Sequence, residues 1–85
     1  MRPTVGRSVH YQSYGTPNGE YLPEPRAAVI TEAQYMGEGE PTPSEVAYRV
    51  SICVLNPEGM FFNRGVPFAE TPTPGHWNWP PRVAE

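Results

Sequence analysis

The stretch VAYRVSICVL, residues 46–55, decides the fold of this chain, because its apolar residues recur at every second position. An extended strand would carry them on one unbroken apolar face, formed by Val46, Tyr48, Val50, Ile52 and Val54. The next residues, NPEG (56–59), have the composition of a type I turn, with proline second and glycine fourth. The apolar run MFFNRGVPF (60–68) follows directly. The sequence therefore predicts a β-hairpin over this region.

Proline divides the rest of the chain into short segments. Twelve prolines and eight glycines in 85 residues disfavour long helices. The segments between the proline clusters predict three more strands, at 5–14, at 26–36 and in the block GHWNWP (75–80). For 26–36 a helix is the alternative, since alanine and glutamate favour that structure.

Five short strands without a long helix predict an all-β fold, formed by a single small domain over residues 1–85. A small sheet protects its edges most completely when it closes on itself. We therefore expect a five-stranded barrel of the SH3-like kind, with an OB-like barrel as the alternative.

The charged residues exclude several classes of function. All six basic residues are arginine and all nine acidic residues are glutamate, which gives a net charge of −3. This balance makes nucleic acid an unlikely partner, since a basic face normally supplies that affinity. Without aspartate no Ser–His–Asp arrangement exists, and the glutamates are scattered through predicted loops. We expect no catalytic residues and no enzymatic activity.

Metal binding and membrane insertion are also disfavoured. One cysteine, Cys53, and two histidines do not provide a structural zinc site, and no cofactor motif is present. We expect Cys53 to be a buried, inert thiol. The N-terminal segment lacks the apolar core of a signal peptide, and no apolar run reaches the ~20 residues that cross a bilayer. The expected location is the cytoplasm.

The two tryptophans are the first candidates for a binding site. Strand alternation places Trp77 and Trp79 on one face, where they either fill the barrel or stack on a ligand ring at its mouth. A second group of aromatic and polar residues, His10, Tyr14 and Tyr21, lies near the N-terminus. Arg26 opens a predicted strand, where it either covers the surface or binds a phosphate or carboxylate. The expected ligand site comprises His10, Tyr14, Arg26, Trp77 and Trp79.

Four sequence blocks together resemble a known group of proteins. These blocks are TVGRSVHY (4–11), RAAVITE (26–32), VLNPEGMFF (54–62) and HWNWP (76–80). They are similar to those of small, largely uncharacterised proteins of phages and prophages of actinobacteria and other GC-rich hosts. The resemblance covers most of the chain outside the loops. It implies a phage origin and the cytoplasm of a bacterial host.

The resemblance and the aromatic residues lead to two functional hypotheses. The first is a sponge that sequesters a nucleotide-derived immune signal of the host, a nucleotide-like small molecule. The second is an SH3-like interaction module that inhibits or redirects a host protein through an aromatic groove. A homo-oligomer is expected to contribute to the site, because one small barrel has little room for a buried pocket. Phe61, Phe62 and Phe68 would supply the apolar surface for such an assembly.

Overall fold

The fold is seen in a computed structural model, which describes residues 1–15 and 24–81. These described residues form five strands and one short 3-10 turn. The strands are β1 (Ser8–Gln12), β2 (Pro25–Tyr35), β3 (Tyr48–Asn56), β4 (Gly59–Pro67) and β5 (Trp77–Asn78), with the 3-10 turn at Glu45–Ala47 before β3. The predictions of an all-β fold and of a strand rather than a helix near residues 26–36 are confirmed.

The five strands form one antiparallel sheet with the order β4-β3-β2-β1-β5. The predicted hairpin is β3–β4, which closes at the pair Asn56–Gly59 around the turn residues Pro57 and Glu58. The strand predicted from residue 46 begins at Tyr48, because Val46 lies in the 3-10 turn and is exposed.

The sheet is not closed into the barrel that we expected. Between the β4 and β5 edges of the sheet, the described residues make a single isolated parallel bridge, from Phe68 to Trp77. It includes a backbone hydrogen bond of 3.1 Å from Ala69 N–H to the Trp77 carbonyl. The physical reason lies in β5, which is two residues long and is followed by Pro80 and Pro81. A proline cannot donate to a ladder, so β5 is too short to pair with β1 and β4 along their lengths.

One face of the sheet, the inner face, carries the hydrophobic core. Its buried side chains come from every strand, and they are Val9, Ala28, Ile30, Tyr48, Val50, Ile52, Val54, Val66 and Trp77. The opposite face, the outer face, is partly apolar and exposed, with Leu55, Met60 and Phe62 at its hairpin end. Their cross-strand pairing, Leu55 with Met60 and Cys53 with Phe62, follows from the register of the hairpin.

Two irregularities interrupt the ladders at the same level of the sheet. In β2 the register shifts between Ile30 and Glu32, so that Thr31 is the extra residue. In β4 it shifts between Asn63 and Val66, where Gly65 has a φ of +63°, a conformation that a residue with a side chain rarely adopts. Both shifts lie beside Ser51 of β3, which separates Val50 from Ile52.

Candidate functional site

A cavity of about 260 Å³ opens on the inner face near the β3–β4 turn. Its walls carry two aromatic rings, one cation, two amides and a hydroxyl, from Tyr11, Phe61, Arg26, Asn56, Asn63 and Ser13. We call it the hairpin-end cavity. Its volume lies just below the range for small-molecule sites, about 300–1,000 Å³.

Strand register explains why these residues meet. Paired residues in an antiparallel sheet point to the same face, and Tyr11 pairs with Arg26 while Val54 pairs with both Ala28 and Phe61. Tyr11 on β1 and Phe61 on β4 therefore lie on opposite sides of a floor made by β2 and β3. Arg26 of β2 and Val54 and Asn56 of β3 line the cavity between the two rings.

Arg26 is the charged group of the hairpin-end cavity, and only 9% of its surface is exposed. Its Nη1 donates to Oε1 of Glu24 at 3.0 Å, which fixes the guanidinium and balances part of its charge. A buried guanidinium held in this way offers directed N–H groups rather than a mobile point charge.

Tyr11 is half-buried beside Arg26, and its hydroxyl stays protonated at neutral pH. Burial raises the pKa of Tyr11 above its ordinary value, and the neighbouring Tyr14 raises it further by electrostatic repulsion of the phenolate. The ring thus combines an apolar face with a neutral hydroxyl, which both donates and accepts hydrogen bonds. Together with the amides of Asn56 and Asn63, it can recognise a flat polar ring.

A second cavity, of about 400 Å³, lies beside Trp79. We call it the Trp79 cavity, and its walls include Phe68, Trp79, Glu45 and Glu70. The indole N–H of Trp79 donates to Oε2 of Glu45 at 2.8 Å, and the guanidinium of Arg7 lies 5.1 Å from the ring centroid. Because Glu45 is ion-paired with the Met1 ammonium, Glu70 supplies the further negative charge that makes this cavity unfavourable for a phosphate and favourable for a cation.

The five predicted site residues do not lie together in one place. Arg26 lines the hairpin-end cavity, whereas Tyr14, with 70% of its surface exposed, is not among the residues that line it. Trp79 lines the other cavity. His10 pairs with Asn78 on the outer face. Tyr21, which we grouped with His10 and Tyr14, lies outside the described residues.

Trp77 occupies the core instead of a cavity rim. Its exposed fraction is 0%, and its ring lies 4.9 Å from that of Phe68 and 5.1 Å from that of Trp79, between ring centroids. Its indole N–H is buried without a hydrogen-bond partner, the single such side-chain atom among the described residues. Of the two alternatives given for the tryptophans, Trp77 thus follows the one in which the ring fills the interior. No ring face of Trp77 is left for a ligand.

The sequence interpretation did not identify four residues of the hairpin-end cavity, Tyr11, Asn56, Phe61 and Asn63. Tyr11 and Phe61 are 50 positions apart in the sequence, and only the order of the strands brings them to one cavity. A weak signal was present, since polar Asn63 interrupts the inner-face pattern of β4 opposite Ile52. A polar residue at such a position points to a water-filled space rather than to packing.

In residues 1–15 and 24–81, nowhere do three or more histidine, cysteine or acidic side chains cluster as metal ligands would. The same ranges contain no helix with the length and hydropathy needed to span a bilayer.

The chain was also compared with known proteins. No family model, no curated protein and no solved structure matches it.

Proposed function

We propose that the chain is a small binding protein of phage or prophage origin that sequesters a nucleotide-derived immune signal of the host. The base of the ligand would lie in the hairpin-end cavity. The observation that carries the proposal is the pairing of two aromatic walls, Tyr11 and Phe61, with amide groups at Asn56 and Asn63. Stacking on such rings contributes about 1–3 kcal/mol per base, and amides provide donors and acceptors for the base edge.

The charges of the two cavities favour the hairpin-end cavity, rather than the Trp79 cavity, as the ligand site. Arg26 lines the hairpin-end cavity, and none of the described residues that form its walls carries a carboxylate. In the other cavity Glu45 is ion-paired with the Met1 ammonium, and Glu70 adds a further negative charge that would repel a phosphate. We include in this proposal that the fold is of the SH3-like or OB-like kind, since both kinds of barrel present ligand sites on a curved sheet.

Calorimetric titration with cyclic dinucleotides, cyclic trinucleotides and ADP-ribose derivatives tests the proposal. Replacing Asn56 or Asn63 with alanine should weaken binding roughly 5–10-fold, as expected for one hydrogen bond of about 1 kcal/mol. His10→Ala, on the opposite face, is the matched control and should bind as the wild type does. Absence of binding across the panel by folded protein, or an equal loss with His10→Ala, would refute the proposal.

A second candidate function rests on the Trp79 cavity. Phe68 and Trp79 provide aromatic surface there, and Glu45 and Glu70 provide negative charge. Grooves with this chemistry bind extended, proline-rich segments that carry a basic residue. We propose as the alternative that the chain is an SH3-like interaction module that inhibits or redirects a host protein.

A pull-down from host lysate distinguishes this alternative. Trp79→Ala should release a stoichiometric partner, whereas Asn63→Ala, in the other cavity, should retain it. Trp77→Ala is unsuitable for this purpose, because Trp77 is fully buried and its truncation would test folding. A partner that stays bound to Trp79→Ala, or no partner at all, would exclude the Trp79 cavity as a protein-binding groove.

A further inference from the structure

Strand β4 forms one edge of the sheet, and its first half lacks the features that usually protect an edge. Natural edge strands carry charges, prolines or bulges that prevent pairing with another chain. In β4 these features, Arg64, the irregularity at Gly65 and Pro67, all lie in the second half. The first half exposes three consecutive apolar residues, Met60 (62% exposed), Phe61 (58%) and Phe62 (71%).

The turn geometry determines which backbone groups of β4 point outward. The hydrogen-bonded turn at Pro57–Glu58 is closed by the pair Asn56–Gly59. Hydrogen-bonded and non-hydrogen-bonded pairs alternate along an antiparallel ladder, so the N–H and C=O of Phe61 point toward Val54 on β3. Those of Met60 and Phe62 point away from the sheet. Among the described residues, no strand pairs with them.

We propose that β4 pairs antiparallel with β4 of a second copy of this chain, about a two-fold axis at Phe61. Met60 of each copy then lies opposite Phe62 of the other, and their outward groups form backbone hydrogen bonds across the axis. The two Phe61 residues face each other as a non-hydrogen-bonded pair, the arrangement with the closest side chains. Such a contact is isologous and closes as a dimer.

Charge selects this register over its neighbours. With Phe61 on the axis, the turn residue Glu58, directly before β4, would come near Arg64 of the other copy, and both side chains are exposed. Opposite charges brought together in this way stabilise the pairing of the strands, and two such contacts form in the dimer. A shift by two residues in one direction places Arg64 opposite Met60, and in the other direction it places Glu58 opposite Phe62. Neither alternative pairs the charges.

The dimer also adds to the hairpin-end cavity. Phe61 lies on the inner face and lines that cavity, so the Phe61 of the second copy would stand beside its rim. The seam buries Met60, Phe61 and Phe62 of both copies but involves one strand from each. It is therefore smaller than the roughly 800 Å² per partner of a standard interface, and we expect reversible association.

Sedimentation of charge variants across a concentration series tests the pairing. The wild type should approach twice the 9.5 kDa mass of the chain as concentration rises. Glu58→Arg and Arg64→Glu each place like charges opposite each other and should be monomeric over the same range. The double variant restores the opposite pairs and should dimerise again. A monomeric wild type, or single variants that dimerise like the wild type, would refute the proposal.

Disulfide trapping tests the register in a Cys53→Ser background. The symmetry-related Cα atoms of residue 61 would lie about 4.5 Å apart, within the range that a disulfide spans. Phe61→Cys should therefore give a covalent dimer on oxidation. The residue 60 positions lie diagonally across the axis, roughly 7–8 Å apart, so Met60→Cys should stay largely monomeric. Equal cross-linking of both variants, or of neither, would exclude this register.

Discussion

The indole N–H of Trp79 and the carboxylate of Glu45 meet at 2.8 Å, and this hydrogen bond connects the end of β5 to the 3-10 turn before β3. The same oxygen, Oε2, accepts a hydrogen bond from the N-terminal ammonium of Met1 at 2.8 Å. Glu45 is thus the point at which three distant parts of the chain are held together.

Glu45 should make the stability of the protein depend on pH. Burial acts to raise the pKa of Glu45, but hydrogen bonds from the Met1 ammonium, its own backbone N–H and Trp79 outweigh burial and lower it. A depressed pKa contributes stability above the pKa of the unfolded chain, about 4.3, and that stability is lost as pH falls through the folded value. Glu45→Gln should therefore reduce the free energy of unfolding at neutral pH by about 1 kcal/mol.

Urea unfolding of wild type and Glu45→Gln at neutral and acidic pH measures this effect. The two proteins should converge in acid, where Glu45 is protonated. Glu70→Gln, in the same cavity but exposed, is the control and should follow the wild type at every pH. A stability difference that is the same at both pH values would show that the charge of Glu45 is not responsible.

Trp77 should be the most sensitive core position. Truncating a buried tryptophan to alanine costs about 3–5 kcal/mol, a large part of the ~4–13 kcal/mol expected for a chain of this length. We expect Trp77→Ala to lose its cooperative unfolding transition or most of its stability. Trp77→Phe should cost less than 2 kcal/mol or so, because it also removes the unpaired buried N–H. Equal damage from both changes in urea denaturation would contradict this assignment.

Gly75 should resist substitution for two separable reasons. Its φ is +81°, and a Cβ at this position would collide with the ring of Tyr14. Gly39 has a similar φ of +76° with open space around it. Gly39→Ala should therefore show only the backbone cost, about 1–2 kcal/mol, and Gly75→Ala should cost more.

Tyr14→Ala provides the control for Gly75. In that background, the cost of Gly75→Ala should fall to that of Gly39→Ala when both are measured by thermal unfolding. If the excess cost of Gly75→Ala persists without the Tyr14 ring, the contact between the two residues is not its cause.

Tyr11 should ionise at a higher pH than an ordinary tyrosine does. Its raised pKa means that the folded protein keeps the phenol protonated while the unfolded chain ionises near pH 10. This contribution to stability is present below pH 10 or so and is lost as pH rises further. In an absorbance titration, Tyr11→Phe should remove a component that titrates above the ordinary tyrosine value of 10.0. Tyr14→Phe should shift it downward, since a neighbouring negative charge is gone.

The hairpin was predictable from sequence, whereas the cavity was not. Alternation over residues 46–55 identifies β3 and its inner face, because every second residue of the strand is buried in the core. The extra residue in β2 leaves no such trace: unbroken alternation would place Ala33 on the face of Val29, but the irregularity at Thr31 puts Ala33 on the face of its partner Val50. The site depends on contacts between β1 and β4, which share no local pattern.

The tryptophans show the same division between local and long-range information. Their alternation correctly predicts that Trp77 and Trp79 lie near each other, and their rings meet edge to face at 5.1 Å. Which of the two is buried depends on Phe68, which bridges to Trp77 across the open side of the sheet. No spacing within GHWNWP carries that information.

The two irregularities beside Ser51 lie on one line across the sheet. The extra residue at Thr31 in β2 and the one near Gly65 in β4 each change whether the even- or the odd-numbered residues face the core, whereas β3 keeps one alternation along its whole length. Because Thr31 is the extra residue, its deletion would leave Ile30 opposite Ile52, Glu32 opposite Ser51 and Ala33 opposite Val50 in a regular ladder. A one-residue deletion is therefore tolerable at this line, whereas the same deletion at a regularly paired position such as Ala28 would exchange the dry and wet sides of the neighbouring residues.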